Sequence, residues 1–210
     1  MKNVTSGIIT ALEKVIARVA KEHGLSSRVS LVVGATGGGM KHGHFLAKGW
    51  QDRDGNDVHE IVLTGESLER GAVPTLGTML HELAHLYNFE NEIRDVSDGG
   101  RYHNQRFRKT AEAMGLSIEV APRIGHSVTT VPATTQARYA DVIAELDEAI
   151  TAWKRGPVLA AASSNSKKFL FGCPVCDDPV QVTKKWGEAH SLEYKCEYHG
   201  EYLHFWIEGE

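Results

Sequence analysis

The chain has 210 residues, of which 41% are hydrophobic and 24% charged, as in a globular protein with one medium domain and room for a small second module. Its formal net charge is −4, so no overall positive field favours nucleic acid. The N-terminus lacks the apolar stretch of a secretory signal, and no apolar run approaches the roughly 18 residues of a membrane span. We therefore expect a cytoplasmic protein without membrane contact.

The first third of the chain predicts one helix and three strands. Apolar residues recur at helical spacing from Val4 to Val19, and Gly24 follows as a stop. Alternating or β-branched residues then predict strands at 29–33, 44–51 and 58–64. The last two are joined by a short turn rich in Asp, Gly and Asn. Because the three strands are short and consecutive, we expect an antiparallel meander.

The next part of the chain is predicted to be mainly helical. Broad apolar faces predict helices over 74–89 and 104–114, the second ended by a glycine. Residues 121–133 are rich in Pro, Thr and Val and are expected to be irregular. One apolar stripe then predicts a helix over 139–153.

These elements define an α+β organisation with a small sheet packed against helices. We assign a core to residues 1–120, and an irregular segment with an amphipathic helix to 121–156. Residues 157–167, PVLAAASSNSK, have the composition of a linker. Residues 168–210 form a separate, β-rich module.

The helix predicted at 74–89 carries the motif His81-Glu-Leu-Ala-His85. Such a motif arises by chance in roughly 5% of chains of this composition, so its surroundings must decide its meaning. On a helix, positions i and i+4 share a face, so His81 and His85 can bind one zinc ion. Glu82 would then lie beside the metal, where it can accept a proton from a bound water molecule.

A catalytic zinc site needs a third protein ligand, and Asp95, Asp98 and His103 are the candidates downstream. His103 is favoured because it precedes a helix that Phe107 anchors, which would hold the imidazole firmly. Asp98 precedes two glycines and fits better as a turn former or as a hydrogen-bond partner of a ligand. Tyr102 could polarise a substrate carbonyl, although packing beside the metal is the simpler role.

The cysteines predict a second metal site. Cys173-Pro-Val-Cys176 and Cys196-Glu-Tyr-His199 are separated by nineteen residues, which is typical of a closed, structural zinc site with three cysteines and one histidine. His190 and His204 are alternative fourth ligands without the two-residue gap. A redox Cys-x-x-Cys unit is disfavoured because no βαβ pattern surrounds the motif. Segments 180–184 and 202–207 are expected to supply strands around the zinc.

These motifs, in this order, resemble the SprT-like metalloprotease family, which includes the Spartan proteases. In that family a third histidine precedes a helix in a pattern close to His-Gly-x-x-Phe. His103-Asn-Gln-Arg-Phe107 matches that pattern, with Asn104 in place of Gly. The resemblance covers residues 1–120 and extends through the C-terminal module, since SprT-like proteins commonly carry a zinc ribbon there. It implies a zincin-like core around the HExxH helix.

The function implied is a zinc-dependent metalloendopeptidase with Glu82 as the general base, one catalytic zinc and one structural zinc. Its substrates would be proteins or peptides, including DNA-bound or DNA-crosslinked proteins. Between Arg94 and Lys109 five basic residues face two acidic ones, whereas from Trp153 onwards seven basic residues face eight acidic ones. DNA contact therefore stays open. The alternative is a non-catalytic, zinc-stabilised module that binds protein or DNA.

Overall fold

The computed structural model describes residues 4–34, 42–97, 100–155, 169–173, 175, 180–197 and 199–207. The chain divides into two compact units, residues 1–156 and 157–210. The predicted linker at 157–167, Asp98 and Cys176 lie outside the described residues. Among the helices that are described, none has the length and apolar character needed to cross a membrane.

The first unit is α+β, as predicted, and combines helices with two small sheets. Its helices are α1 (Val4–His23), α2 (Ala72–Glu90), α3 (Gln105–Ala113), α4 (Ala133–Arg138) and α5 (Ala140–Ala149), with a 3-10 helix at Gly65–Arg70. Its strands are β1 (Val29–Gly34), β2 (Gly43–Gln51), β3 (Asp57–Thr64), β4 (Val96–Ser97), β5 (Tyr102–His103), β6 (Ser117–Ala121) and β7 (Gly125–Thr130).

Helix α2 lies at the centre of this unit because its apolar residues surround nearly the whole helix. Leu76, Met79, Leu80 and Leu83 are all fully buried. They belong to one core cluster with the buried face of α1, the inner face of β3 and the apolar side of α3. A helix buried on most sides can carry polar side chains where a cleft reaches it or where a buried partner forms a hydrogen bond with them.

The first sheet has the order β1-β3-β2, which corrects the predicted meander. Strands β2 and β3 form the predicted antiparallel hairpin, but β1 pairs with β3 in parallel, with Val29 opposite His59. The alternation of buried and exposed residues reports which face of a strand is covered and carries no information about its neighbours. For this reason the sequence located the three strands and missed their order.

The second sheet has the order β4-β5-β7-β6, and it corrects the expectation that residues 121–133 are irregular. Most of that segment is the hairpin of β6 and β7, with Arg123 in its turn at a φ of 69°. The strand β7 begins with Gly-His-Ser, which has little β propensity, so tertiary pairing decides its conformation.

The last helix of the first unit ends earlier than predicted. The segment expected to form one helix over 139–153 contains α5, which ends at Ala149, and Trp153 is 48% exposed. The backbone N–H of Lys154 donates to the carbonyl of Gly65 at 3.1 Å instead of continuing the helix. Helix α5 packs against α1 and α2.

The second unit contains the strands β8 (Phe169–Gly172), β9 (Val180–Val182) and β10 (His204–Ile207) and the helix α6 (Lys184–His190). Both flanking strands pair with β8 in antiparallel register, giving the order β10-β8-β9. The strands expected at 180–184 and 202–207 are present over shorter ranges, and helix α6, which begins at Lys184, was not predicted.

Candidate metal centres

Helix α2 presents His81, Glu82 and His85 to a cleft. The two histidines are one helical turn apart and therefore lie on the same face. Glu82 is 5% exposed, although it stands on a helix whose other buried residues are mainly apolar.

His103 is brought to the same place by the short strand β5. Its Nε2 atom lies 3.2 Å from Nε2 of His81 and 3.1 Å from Nε2 of His85. The ligand atoms of all three histidines lie within 4.8 Å of one another, so this group could hold a metal ion. The structure thus brings together the three residues that the sequence indicated.

Phe107 packs against all three histidines of this cluster. It is fully buried, and its ring centroid lies 4.6 Å from that of each of the three imidazoles. Asn104 caps the helix that carries Phe107, since its Oδ1 accepts from the backbone N–H of Arg106 at 2.7 Å and of Phe107 at 3.3 Å. Asparagine at this position, where the resembled family has glycine, is therefore a good N-cap for α3.

Gly125 lets the strand β7 approach His103 closely. A Cβ atom on Gly125 would lie 2.3 Å from the carbonyl oxygen of His103 and 2.9 Å from the ring of Tyr102, and its φ is +68°. His103 is paired with Gly125 in parallel register, and its N–H donates to the carbonyl of Ile124 at 3.0 Å. The neighbouring strand thereby holds the backbone of His103.

Asp95 is a partner of a histidine in the cluster. Its Oδ2 atom lies 2.7 Å from Nδ1 of His85, and it also accepts from Nδ2 of Asn88 at 3.0 Å. A carboxylate only accepts hydrogen bonds, so Nδ1 of His85 carries the proton and the lone pair of Nε2 faces the cluster. From the sequence, Asp95 was predicted only as a possible third ligand, and Asp98 as a possible hydrogen-bond partner of a ligand. Asn88, which has no recognisable motif, was missed.

The electrostatics of the cluster favour the neutral form of His81. Burial, together with the positive charge that His85 and His103 would carry, holds the pKa of His81 well below its ordinary value. Burial raises the pKa of Asp95, but its hydrogen bond and charge interaction with His85 and its bond from Asn88 outweigh this, so its net pKa is lowered. Neutral imidazole is the form that binds metal.

A cleft with a volume of about 1370 Å³ opens onto the cluster. Among the described residues that line it, the only carboxylates are Glu82 and Asp95, and Asp95 is engaged by His85. The remaining lining is apolar, basic or hydroxyl-bearing and includes His42, Phe45, Phe89, Arg101, Tyr102 and Arg123.

The second unit contains a separate cluster of Cys173, Cys196 and His199. Nδ1 of His199 lies 3.8 Å from Sγ of Cys173 and 3.7 Å from Sγ of Cys196. Sγ of Cys173 also accepts the backbone N–H of Val175 at 3.4 Å. This group too could hold a metal ion, and Cys176 lies outside the described residues.

The alternative histidines of this unit lie elsewhere. His190 stacks on Trp186 with ring centroids 4.3 Å apart, and its Nδ1 lies 2.8 Å from the carbonyl oxygen of Trp186. His204 stands on β10, opposite Gly172. Of the three histidines considered for the fourth position, His199 is the one beside the cysteines.

No family model matches the chain, and no match was found among curated proteins or among solved structures.

Proposed function

We propose that the protein is a zinc-dependent metalloendopeptidase. The observation that carries this proposal is the convergence of Nε2 atoms from His81, His85 and His103, with the buried carboxylate of Glu82, in a cleft large enough for a peptide. A purely structural metal site has no need of a buried carboxylate next to two of its ligands.

The donor set fits zinc. Two imidazole nitrogens bound at about 2.0–2.1 Å to one tetrahedral ion stand about 3.3 Å apart. The separations of 3.1 and 3.2 Å between the Nε2 atoms are close to that value. Three neutral nitrogen ligands with a fourth position open towards a cleft are typical of a catalytic zinc site.

Each residue then has a defined task. Bound zinc supplies a Lewis acid that lowers the pKa of a water molecule to about 7 and polarises a carbonyl oxygen. Glu82 accepts a proton from the attacking water and later donates it to the leaving amine. Asp95 holds the imidazole of His85 in the required tautomer. Tyr102 lines the cleft, 36% exposed, where its hydroxyl could donate to a substrate carbonyl.

The second cluster is proposed to be a structural zinc site within a zinc ribbon. A sulfur bound at about 2.3 Å and a nitrogen at about 2.0 Å on one tetrahedral ion stand about 3.5 Å apart, close to the observed 3.7 and 3.8 Å. Cys176, three positions after Cys173, would complete the set. Four protein ligands leave no position for a substrate, so this zinc would stabilise the fold.

DNA-bound or DNA-crosslinked proteins are the proposed substrates, a suggestion that comes from the resemblance to SprT-like proteases. Two features of the cleft are compatible with it. Arg101 and Arg123 both line the cleft, and neither forms an ion pair with any residue that the structure describes. Guanidinium groups in such a position can contact phosphate.

The decisive experiment compares the wild type with Glu82→Gln for zinc content and for cleavage of casein, with and without single-stranded DNA. The variant should retain zinc and lose about 10²–10⁴ in rate, because an amide cannot accept the proton of the water. Equal cleavage by both proteins would refute the assigned mechanism. A wild type that carries zinc and is inert under all conditions would favour the non-catalytic binding module.

A further inference from the structure

Three buried polar side chains behind His85 connect helix α3 to the histidine cluster. Oγ1 of Thr110 donates to Oδ1 of Asn88 at 2.6 Å, and Nδ2 of Asn88 donates to Oδ2 of Asp95 at 3.0 Å. The same Oδ2 atom lies 2.7 Å from Nδ1 of His85. The result is a continuous chain of hydrogen bonds from α3 to a candidate metal ligand.

None of these three side chains has ready access to solvent. Asn88 is fully buried, Asp95 is 8% exposed and Thr110 is 9% exposed. Buried polar groups need hydrogen-bond partners, and each of these has one within the chain. Removal of the Thr110 hydroxyl would leave the side-chain oxygen Oδ1 of Asn88 buried without a donor, and a water molecule cannot easily take the place of the hydroxyl.

The geometry makes the position of Asp95 depend on Asn88. Oδ2 of Asp95 receives hydrogen bonds from two directions, one from His85 and one from Asn88, both on α2. The backbone carbonyl of Asp95 also accepts from the N–H of Asn104 at 3.0 Å, next to His103. A shift of Asp95 would therefore disturb the surroundings of two ligands that come from different elements.

We propose that Asn88 and Thr110 are positioning residues for the metal centre, which hold the Asp95 carboxylate against Nδ1 of His85 and so keep Nε2 aimed at the ion. The hydroxyl of Thr110 orients and satisfies the Asn88 amide, and the amide fixes the carboxylate. This inference rests on the proposed function only in that His85 binds zinc. It requires no cleavage of peptides.

The test is the zinc affinity of the full chain, measured by titrating the metal-free protein with zinc in competition with a chelating indicator. Thr110→Val keeps the shape of the side chain and removes the donor, whereas Thr110→Ser keeps the donor. The matched control is Thr135→Val, since Thr135 is 5% exposed and its hydroxyl donates to the carbonyl of Gly115 at 2.6 Å, outside the cluster. A His103→Ala chain identifies which of the two binding steps belongs to the histidine cluster.

Thr110→Val should weaken zinc binding at the histidine cluster about tenfold or more, the effect typical of losing an outer partner of a ligand. Thr110→Ser should bind close to the wild-type affinity. Thr135→Val should bind zinc like the wild type, even if its melting temperature falls as far as that of Thr110→Val. Thr110→Ala, which introduces no new group, is measured in parallel in case the valine variant does not fold, and the same weakening is expected.

Wild-type zinc affinity in Thr110→Val and Thr110→Ala would overturn the proposal. So would an equal loss in Thr135→Val, which would indicate a general effect of stability, or a failure of Thr110→Ser to restore binding. The proposed function fails separately: a wild type that binds zinc at the histidines and cleaves no peptide contradicts the peptidase and leaves the affinity comparison decisive.

Discussion

Gly43 lies directly against the carboxylate of Glu82. A Cβ atom added at Gly43 would stand 3.3 Å from Oε1 of Glu82, 3.0 Å from a methyl carbon of Thr78 and 2.7 Å from the carbonyl oxygen of Val62. Strand β2 thus begins in a space that only glycine leaves open, where β3 and α2 both approach it. The carboxylate proposed as the general base therefore lies against the Gly43 backbone, in a space that a larger side chain at position 43 would occupy.

Gly43→Ala should therefore impair catalysis without removing the metal ligands. The added methyl group would displace Glu82 or separate β2 from α2, and a misplacement of about 1 Å can cost about a hundredfold in rate. Peptide cleavage and zinc content are measured together. Gly7→Ala on helix α1, where a Cβ atom meets nothing within 4 Å, is the control and should retain full activity. Full activity in Gly43→Ala would show that Glu82 has no need of this close contact.

His103→Ala should lower the zinc affinity of the first unit and eliminate peptide cleavage, because it removes the nitrogen that lies 3.1–3.2 Å from the other two. Asp98→Ala should leave zinc bound with at most a partial loss of activity. Zinc analysis of the two variants after dialysis decides between the two residues. Loss of the metal from Asp98→Ala with retention in His103→Ala would reverse the assignment of the third ligand.

In the second unit, His199→Ala should release one zinc ion and unfold residues 170–210, since a small metal-binding domain derives most of its folding energy from the ion. Cys196→Ala should do the same. His190→Ala is the control, because His190 stacks on Trp186 and stands away from the cysteines. Elemental analysis and limited proteolysis report on both properties. A wild type with a single zinc ion would mean that one of the two clusters binds none.

If DNA contributes to function, single-stranded DNA should raise peptide cleavage, and the gain should shrink as salt rises because phosphate contacts release counterions. The double variant Arg101→Glu with Arg123→Glu should lose most of this gain, measured as the ratio of its own cleavage rates with and without DNA, because both side chains also line the proposed substrate cleft. Arg53→Glu, in the turn between β2 and β3, is the control for reversing a single positive charge away from the cleft. Stimulation that is insensitive to salt would argue against phosphate contacts.

Stability at alkaline pH should depend on Tyr139, which is fully buried and donates to Oε2 of Glu22 at 2.8 Å. Burial and this hydrogen bond to Glu22 raise the pKa of Tyr139 from 10.0 to about 12. The contribution of the neutral phenol is complete below pH 10 and is lost as the pH rises from 10 towards 12. About 2 kcal/mol of the free energy of unfolding is involved. Tyr139→Phe should have a lower free energy of unfolding than the wild type at pH 8. Between pH 8 and 11 this free energy should also fall less steeply in the variant, as measured by urea unfolding.

Much of the candidate site follows from local sequence. The spacing of His81 and His85 places both on one face wherever a helix forms, and the apolar residues around them ensure that helix. Cys173, Cys196 and His199 are likewise found from their spacing. The locations of α1, α2, α3 and the first three strands were predictable for the same reason, because periodicity is a property of neighbouring residues. The 3-10 helix and the strands β4, β5 and β6 were not predicted.

Contacts between distant segments were decided by tertiary structure alone. Thr110 and Asn88 are 22 positions apart, and no spacing rule joins them. The same is true of Gly43 against Glu82, and of β1, which pairs with β3 instead of its neighbour in sequence. A side-chain pattern reports which face of an element is buried, whereas the partner on that face depends on how all the elements pack together. The candidate metal ligands could therefore be predicted from the sequence, whereas the contacts of Asn88 and Thr110 behind them could not.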